Sequence, residues 1–109
     1  MAKFYVITDK FELVELNKVL FNVTTYILNA ILYADKTKLA GYVIPSTAFE
    51  GDEIKFYVEA DEGSSISSGI TIIMNGTDIT DNVVTAEGSG FIVDIKNING
   101  PVEISIIGR

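Results

Sequence analysis

The sequence predicts an all-β fold, and three observations lead to this prediction. Asn75 and Gly76 lie between two β-rich runs, and Asn-Gly is the strongest short-range hairpin signal because a type I′ turn needs positive φ at both central residues. Apolar and polar side chains alternate with a period of two over residues 54–60 and 91–96, as in half-buried strands. Short strands at such regular spacing are typical of a sandwich or a barrel.

The second half of the chain divides into strands with clear boundaries. Glycine and proline occur only from Gly41 onwards, so turns are easily placed there. A polar loop rich in Ser and Gly covers residues 61–69, and turns fall at 75–76, 87–90 and 97–101. The predicted strands between them are residues 54–60, 70–74, 77–80, 82–85, 91–96 and 102–106.

The first half permits two interpretations. Residues 4–8 and 11–16 predict a hairpin that turns at Asp9-Lys10, followed by strands over 19–27 and 39–44, the latter ended or confined to a sheet edge by Pro45. Alternatively, apolar residues between 13 and 34 follow the a/d seam of a long helix. Apolar side chains also lie off that seam, and valine, threonine and aromatic residues favour strands, so we prefer the strand interpretation.

Composition excludes several classes of function. The chain has 109 residues, enough for one domain with a core, and carries 15 acidic against 8 basic residues, a net charge of −7. This balance disfavours nucleic acid and anionic membranes as partners. The absence of histidine and cysteine removes thiolate chemistry, zinc–thiolate sites and the ordinary serine–base pairs. We therefore predict no enzyme, no cofactor and no metal, although lysine and carboxylate chemistry stays open.

The N-terminal residues do not predict export or insertion into a membrane. Asp9 follows the first apolar residues too soon for a secretory signal, so we expect synthesis in the cytoplasm without a signal peptide. Residues 19–34 are uncharged, but they are shorter than the ~20 residues needed to span a bilayer and contain Asn22 and Asn29.

Residues 70–80 and 91–106 carry a resemblance to a known family. With residues 51–63, they resemble a small immunoglobulin-like module common in virion proteins of phages that infect Gram-positive bacteria. The resemblance is strongest over residues 51–107. It implies an immunoglobulin-like β-sandwich over residues 19–109, preceded by an N-terminal hairpin or arm over residues 1–18. It transfers no catalytic residues.

Five residues in this region are expected to shape turns. Asn75 stands where the family usually has Gly, and Asn tolerates a left-handed backbone. Pro101 stands where the family usually has Asp, which is acceptable at the first position of a strand. We expect Asp78 to accept backbone N–H bonds beside the hairpin. The complete set of predicted turn residues is Asn75, Gly76, Asp78, Gly100 and Pro101.

Several predicted strands are apolar on both faces, as where Ile72 precedes Ile73 and Ile106 precedes Ile107. A sandwich buries only one face of each sheet, and a cluster of exposed apolar side chains is an aggregation hazard. Either another protein surface or the N-terminal segment itself therefore covers the second face. The predicted interface residues are Phe4, Val6, Phe11, Leu13, Leu20, Phe21, Ile73 and Ile107.

The resemblance implies a non-enzymatic structural role in a phage particle. The expected role is a capsid decoration or head-fibre protein, with the major capsid protein or other virion subunits as partners, homo-oligomerisation, and a location in the virion. Two alternatives are an association with the tail or baseplate and a cell-surface carbohydrate-binding module. In the last case Tyr26, Tyr33, Tyr42, Phe49 and Tyr57 would form a face that stacks on glycan rings.

Overall fold

A computed structural model describes residues 19–66 and 68–109, together with the backbone of residues 4–7 and 13–16. Within these residues all regular secondary structure is β apart from a single short helix, so the all-β prediction is confirmed. The elements are β1 (Phe4–Ile7), β2 (Leu13–Leu16), β3 (Leu20–Leu28), β4 (Ala30–Tyr33), β5 (Thr47–Phe49), β6 (Ile54–Ala60), β7 (Ile70–Met74), β8 (Thr77–Asp78), α1 (Thr80–Val83), β9 (Val84–Glu87), β10 (Gly90–Ile95) and β11 (Val102–Ile107).

Two sheets contain strands β3 to β11. The smaller sheet has the order β4-β6-β10-β9 and is antiparallel throughout. The larger sheet has the order β5-β3-β11-β7-β8, and its central strand β11 runs parallel to β3, with Val102 opposite Val23. On its other side β11 runs antiparallel to β7, with Ile104 opposite Ile72.

One hydrophobic core joins the two sheets, which makes the fold sandwich-like. Alternate residues of each inner strand point into it, as Phe56 and Val58 do on β6, while Lys55 and Glu59 on either side of this pair do not. Ile66 and Ile98 add loop side chains to the core. The buried set is Val23, Ala48, Ile54, Phe56, Val58, Ile66, Ile72, Val93, Ile95, Ile98, Val102, Ile104 and Ile106.

Asn29 connects the two sheets between β3 and β4. Its φ of 55° is left-handed, a conformation that Asn adopts more readily than most residues. Its side-chain Nδ2 donates to the carbonyl oxygen of Gly108 at 3.1 Å, and its own carbonyl oxygen accepts from the backbone N–H of Asp61 at 2.9 Å. The chain can therefore leave one sheet and enter the other within a single residue.

The first half of the sandwich corrects several expectations. Strand β3 confirms the predicted strand over 19–27, and the long helix over 13–34 is wrong. The predicted strand over 39–44 is also wrong, because only Gly41 forms a bridge, opposite Tyr33. Strands β4 and β5 were missed: β4 starts directly after the bend at Asn29, and β5 has only three residues.

The short elements after β7 also differ from the prediction. The strand expected over 77–80 ends at Asp78, and residues 80–83 form one helical turn where a strand over 82–85 was expected to begin. Strand β9 then starts at Val84 and extends to Glu87. The remaining predicted strands of this half agree with β6, β7, β10 and β11.

The N-terminal hairpin is confirmed for its two described strands. Strand β1 pairs antiparallel with β2, with Phe4 opposite Leu16. The predicted turn at Asp9-Lys10 lies outside the described residues. As far as the described residues extend, these two strands form a sheet of their own and pair with neither sheet of the sandwich.

Candidate protein interface

The hairpin between β7 and β8 has the backbone that its sequence predicts. Asn75 and Gly76 have φ values of 54° and 79°, the two positive angles that a type I′ turn needs, and Met74 pairs with Thr77. The N–H of Asn75 donates to the carbonyl oxygen of Pro101 at 2.8 Å. The two stretches that carry the family resemblance therefore meet at this turn.

Asp78 accepts hydrogen bonds beside the hairpin, as predicted. Its Oδ1 accepts from the backbone N–H of Thr80 at 2.9 Å and from the Thr80 hydroxyl at 2.7 Å. These two bonds, the hydroxyl bond first, lower the pKa of Asp78 below its ordinary value. The Thr80 hydroxyl oxygen in turn accepts from the N–H of Ile72 at 2.8 Å, so this network ties β7 to the start of α1.

The outer surface of the larger sheet leaves apolar side chains open to solvent. Because Val102, Ile104 and Ile106 point into the core, the residues between them on β11 point outwards, together with their neighbours on β3 and β7. We call this surface the β11 face. Its residues are Leu20, Asn22, Thr24, Tyr26, Leu28, Thr47, Phe49, Thr71, Ile73, Asp78, Glu103, Ser105 and Ile107.

Four of these side chains remain about half exposed: Leu20 at 53%, Tyr26 at 57%, Leu28 at 45% and Phe49 at 47%. Ile73 and Ile107 on the same face are half-buried. Large apolar side chains that gather on one exposed face usually mark a site of interaction. The described part of the chain therefore leaves this face open to solvent.

Charge is sparse on the β11 face. Within the five strands of the larger sheet, the charged residues are Asp78 and Glu103, and no lysine or arginine occurs. Glu103 lies on the central strand, opposite Thr24 on one side and Ile73 on the other. It is exposed and forms no ion pair with any residue that the structure describes. A shallow groove beside it is lined by Tyr26, Thr71, Ile73 and Ser105.

The outer surface of the smaller sheet has a different character, because three lysines on or beside it pair with carboxylates. Lys36 lies 3.5 Å from Glu87, Lys38 lies 3.2 Å from Glu59, and Lys96 lies 3.5 Å from Asp94, measured between Nζ and a carboxylate oxygen. Such surface pairs contribute little to stability individually. They place positive charge beside these carboxylates, in contrast to Glu103, which pairs with no described residue.

Tyr57 is at the centre of that second surface and is only 3% exposed. Its hydroxyl donates to Oε2 of Glu59 at 2.7 Å, and the Ser89 hydroxyl donates to the same oxygen at 3.0 Å. The bond from Tyr57 is the largest cause that lowers the pKa of Glu59, followed by those from Ser89 and Lys38. Burial, followed by the bond to Glu59, raises the pKa of Tyr57.

The five aromatic residues proposed for glycan stacking do not share one face. Tyr26 and Phe49 lie on the β11 face, whereas Tyr33 and Tyr57 lie on the opposite sheet with ring centroids 6.4 Å apart. Tyr42 stacks on Phe56 at 5.4 Å and packs against the core. The expected aromatic platform is therefore divided between two surfaces and the interior.

The predicted interface residues are also distributed over several places. Leu20, Ile73 and Ile107 lie on the β11 face, but Phe21 packs against the core. Phe4, Val6 and Leu13 belong to the hairpin strands, whose side chains lie outside the described part of the structure, as does Phe11 altogether.

The predicted interface set did not contain four other members of this face: Tyr26 and Phe49, which were assigned to a glycan-stacking face, and Leu28 and Glu103, which were not singled out. Tyr26 and Leu28 follow Leu20 at even spacing along β3, a signal that the sequence contained. Glu103 and Phe49 required knowledge of the strand order, because they reach the face from other strands.

No family model matches the chain, and neither a curated protein nor a solved structure matches it significantly. Among the described residues, no group of three or more potential ligands is arranged to hold a metal ion. Over the same residues, no helix has the length and apolar character required to cross a bilayer.

Proposed function

We propose that this chain is a non-enzymatic structural protein of a phage particle. Its sandwich would be an immunoglobulin-like module that docks on the assembled shell as a capsid decoration or head-fibre protein. The observation that carries the proposal is the β11 face, where four large apolar side chains are about half exposed on a domain that already has a complete core. A surface of this kind suits a subunit that is covered by other proteins.

The family resemblance supports the same role. Its first stretch corresponds to the β7–β8 hairpin and its second to β10 and β11, and they are in contact through Asn75 and Pro101. The virion would then be the location, with the major capsid protein or other subunits as partners. The net charge of −7 suits a basic protein surface better than nucleic acid.

The N-terminal hairpin is the proposed docking arm. A two-stranded sheet alone is at best marginally stable in water, and β1 and β2 pair with no third strand among the described residues. Binding to a shell protein, or to a second copy in a homo-oligomer, would supply the missing contacts. The sandwich does not need these strands, because its two sheets are complete without them.

Deletion of residues 1–18 tests the arm. The truncated protein is expected to keep the two-sheet fold, shown by an unchanged circular dichroism spectrum and cooperative melting, but to be lost from purified particles. Full-length protein expressed at the same level is the control. If the truncated protein enters particles normally, the N-terminal hairpin is not the docking arm. If the full-length protein is absent from particles, the virion role is refuted.

Two alternatives lead to different observations. A tail or baseplate component would be found with isolated tails and not with tailless heads. A carbohydrate-binding module would bind cell-wall glycan, but the division of its aromatic residues between two surfaces gives this alternative less support.

A further inference from the structure

We propose that the β11 face binds a different protein, whose contacting surface is apolar and carries a lysine or arginine that pairs with Glu103. This inference rests on the proposed function only in that it locates the partner in the particle. The inference adds to the proposed function which surface binds, what chemistry the partner carries and that the partner on this face is not a second copy of the chain.

The apolar part of the face supplies the contact area. Leu20 and Phe49 are cross-strand neighbours at one end of the face, and Leu28 and Ile107 are neighbours at the other. Tyr26 lies between them with 57% of its surface exposed. Tyrosine is enriched at interfaces because its ring is apolar and its hydroxyl can bond to water or to a partner.

The charge on the face indicates what the partner carries. Glu103 is on the central strand, and the five strands of the larger sheet place no lysine or arginine beside it. In contrast, lysines pair with carboxylates on the opposite surface. A partner that buried Glu103 without a positive charge would leave an uncompensated carboxylate, so complementarity requires a basic group opposite it.

The same charge argues against a second copy as the occupant. A two-fold dimer would apply this face to itself, because the same patch is used by both subunits. With the two-fold axis near the middle of the face, Glu103 on the central strand would approach its symmetry mate, and Asp78 would add a second negative charge to the edge of the patch. Like charges in such an arrangement oppose association.

Strand β5 forms one edge of the larger sheet, but it is not open to pairing with an added strand from a partner. The Asp52 carboxylate accepts from the N–H of Phe49 at 2.9 Å, and the N–H of Asp52 donates to the Phe49 carbonyl oxygen at 3.0 Å. These bonds occupy backbone groups that an added strand would need. The outer face, and not this edge, is therefore the surface available to a partner.

Binding to phage particles that lack this protein tests the inference. Purified wild-type chain and four variants are added to such particles, and the bound fraction is measured against concentration. Glu103→Lys and Tyr26→Ala are expected to weaken binding about tenfold or more, and Glu103→Gln less than Glu103→Lys. Glu62→Lys makes the same change in net charge on an exposed loop and is expected to bind like wild type.

The outcomes separate the two proposals. If wild type binds and Glu103→Lys and Tyr26→Ala bind equally well, the β11 face is not the docking surface, but the virion role stands. If wild type does not bind, the virion role and this inference both fail. Sedimentation of the free proteins adds one more outcome: a wild-type oligomer that Tyr26→Ala converts to a monomer would show that the face binds a second copy, contrary to the inference. Equal melting temperatures establish that all variants are folded.

Discussion

The side chain of Asn75 occupies the space directly beside the α-carbon of Gly100. A Cβ placed on Gly100 would lie 2.5 Å from the Cβ of Asn75 and 2.7 Å from its Cγ. The backbone bond from Asn75 N–H to the Pro101 carbonyl oxygen holds the two segments together at 2.8 Å. The tip of the β7–β8 hairpin therefore fits the entry to β11 only because residue 100 has no side chain.

This contact predicts a pair of compensating substitutions. Gly100→Ala forces the Asn75 side chain or its backbone to move and is expected to lower the free energy of unfolding by about 1–3 kcal/mol. Adding Asn75→Gly removes the obstructing side chain, and Gly adopts the φ of 54° without strain, so the double variant should recover most of the loss. Urea denaturation measures both values.

Gly41→Ala is the matched control for this pair. The nearest atom to a Cβ at Gly41 is the Leu32 carbonyl oxygen at 3.9 Å, an ordinary contact. Its unfolding free energy should change by less than about 1 kcal/mol. A Gly100→Ala protein as stable as Gly41→Ala would contradict the close approach.

Asn29 predicts a graded series at the connection between the sheets. Asn29→Gly keeps the left-handed φ but loses the bond to Gly108, an expected cost of about 1 kcal/mol. Asn29→Ala loses the bond and adds strain of about 1–2 kcal/mol. Chemical denaturation should rank wild type above Gly and Gly above Ala, whereas Asn82→Ala on the exposed helical turn should change little. Equal stability of the Gly and Ala variants would show that φ at this position is not strained.

Two isoleucines on β11 are expected to lose different amounts of stability when they are truncated to alanine. Ile104 is 1% exposed in the core, so Ile104→Ala should lower the unfolding free energy by about 2–5 kcal/mol. Ile107 points outwards and is half-buried, and Ile107→Ala should lower it by less than about 1.5 kcal/mol. Thermal and urea melts compare the two. A larger loss for Ile107 would reverse the assignment of the two faces.

Tyr57 predicts a pH dependence of stability with a defined sign. Its hydroxyl lowers the pKa of Glu59 below the ordinary 4.5, so this contribution is present above that pH and is lost as the pH falls through the lowered folded value. Tyr57→Phe should therefore lower the free energy of unfolding at pH 7 by about 1–2 kcal/mol. Between pH 7 and pH 3 this variant should lose less of its unfolding free energy than wild type does. Denaturation curves at both pH values measure this difference.

At alkaline pH the change of stability with pH has the opposite sign. Burial raises the pKa of Tyr57 above its ordinary 10.0, so the neutral phenol stabilises the fold below that pH, and this is lost as the pH rises towards the folded value. Tyr57→Phe should lose less stability above pH 10 than wild type. The exposed Tyr26→Phe is the control and should follow wild type at both extremes, whereas identical behaviour of all three proteins would contradict the role of the hydroxyl.

Local signals in the sequence were sufficient for part of this fold. Asn75-Gly76 determined one turn because two positive φ angles admit few residues, and the alternation around Phe56 defined β6. The missed elements depend on distant partners. Strand β4 exists because Leu32 pairs with Val58, and three-residue β5 exists because Ala48 pairs with Phe21. The β11 face likewise required the strand order, which no single segment contains.

The parallel pairing of β3 with β11 has a consequence for the synthesis of the chain. Asn29 and Gly108 are in contact although 79 residues separate them, and β11 lies between β3 and β7 in the larger sheet. Until the ribosome has released residues 102–107, β3 and β7 have no strand between them, and the backbone edges that β11 pairs with stay open. A nascent chain must therefore be translated through residue 107 before the larger sheet closes, and it is a candidate for chaperone binding until then.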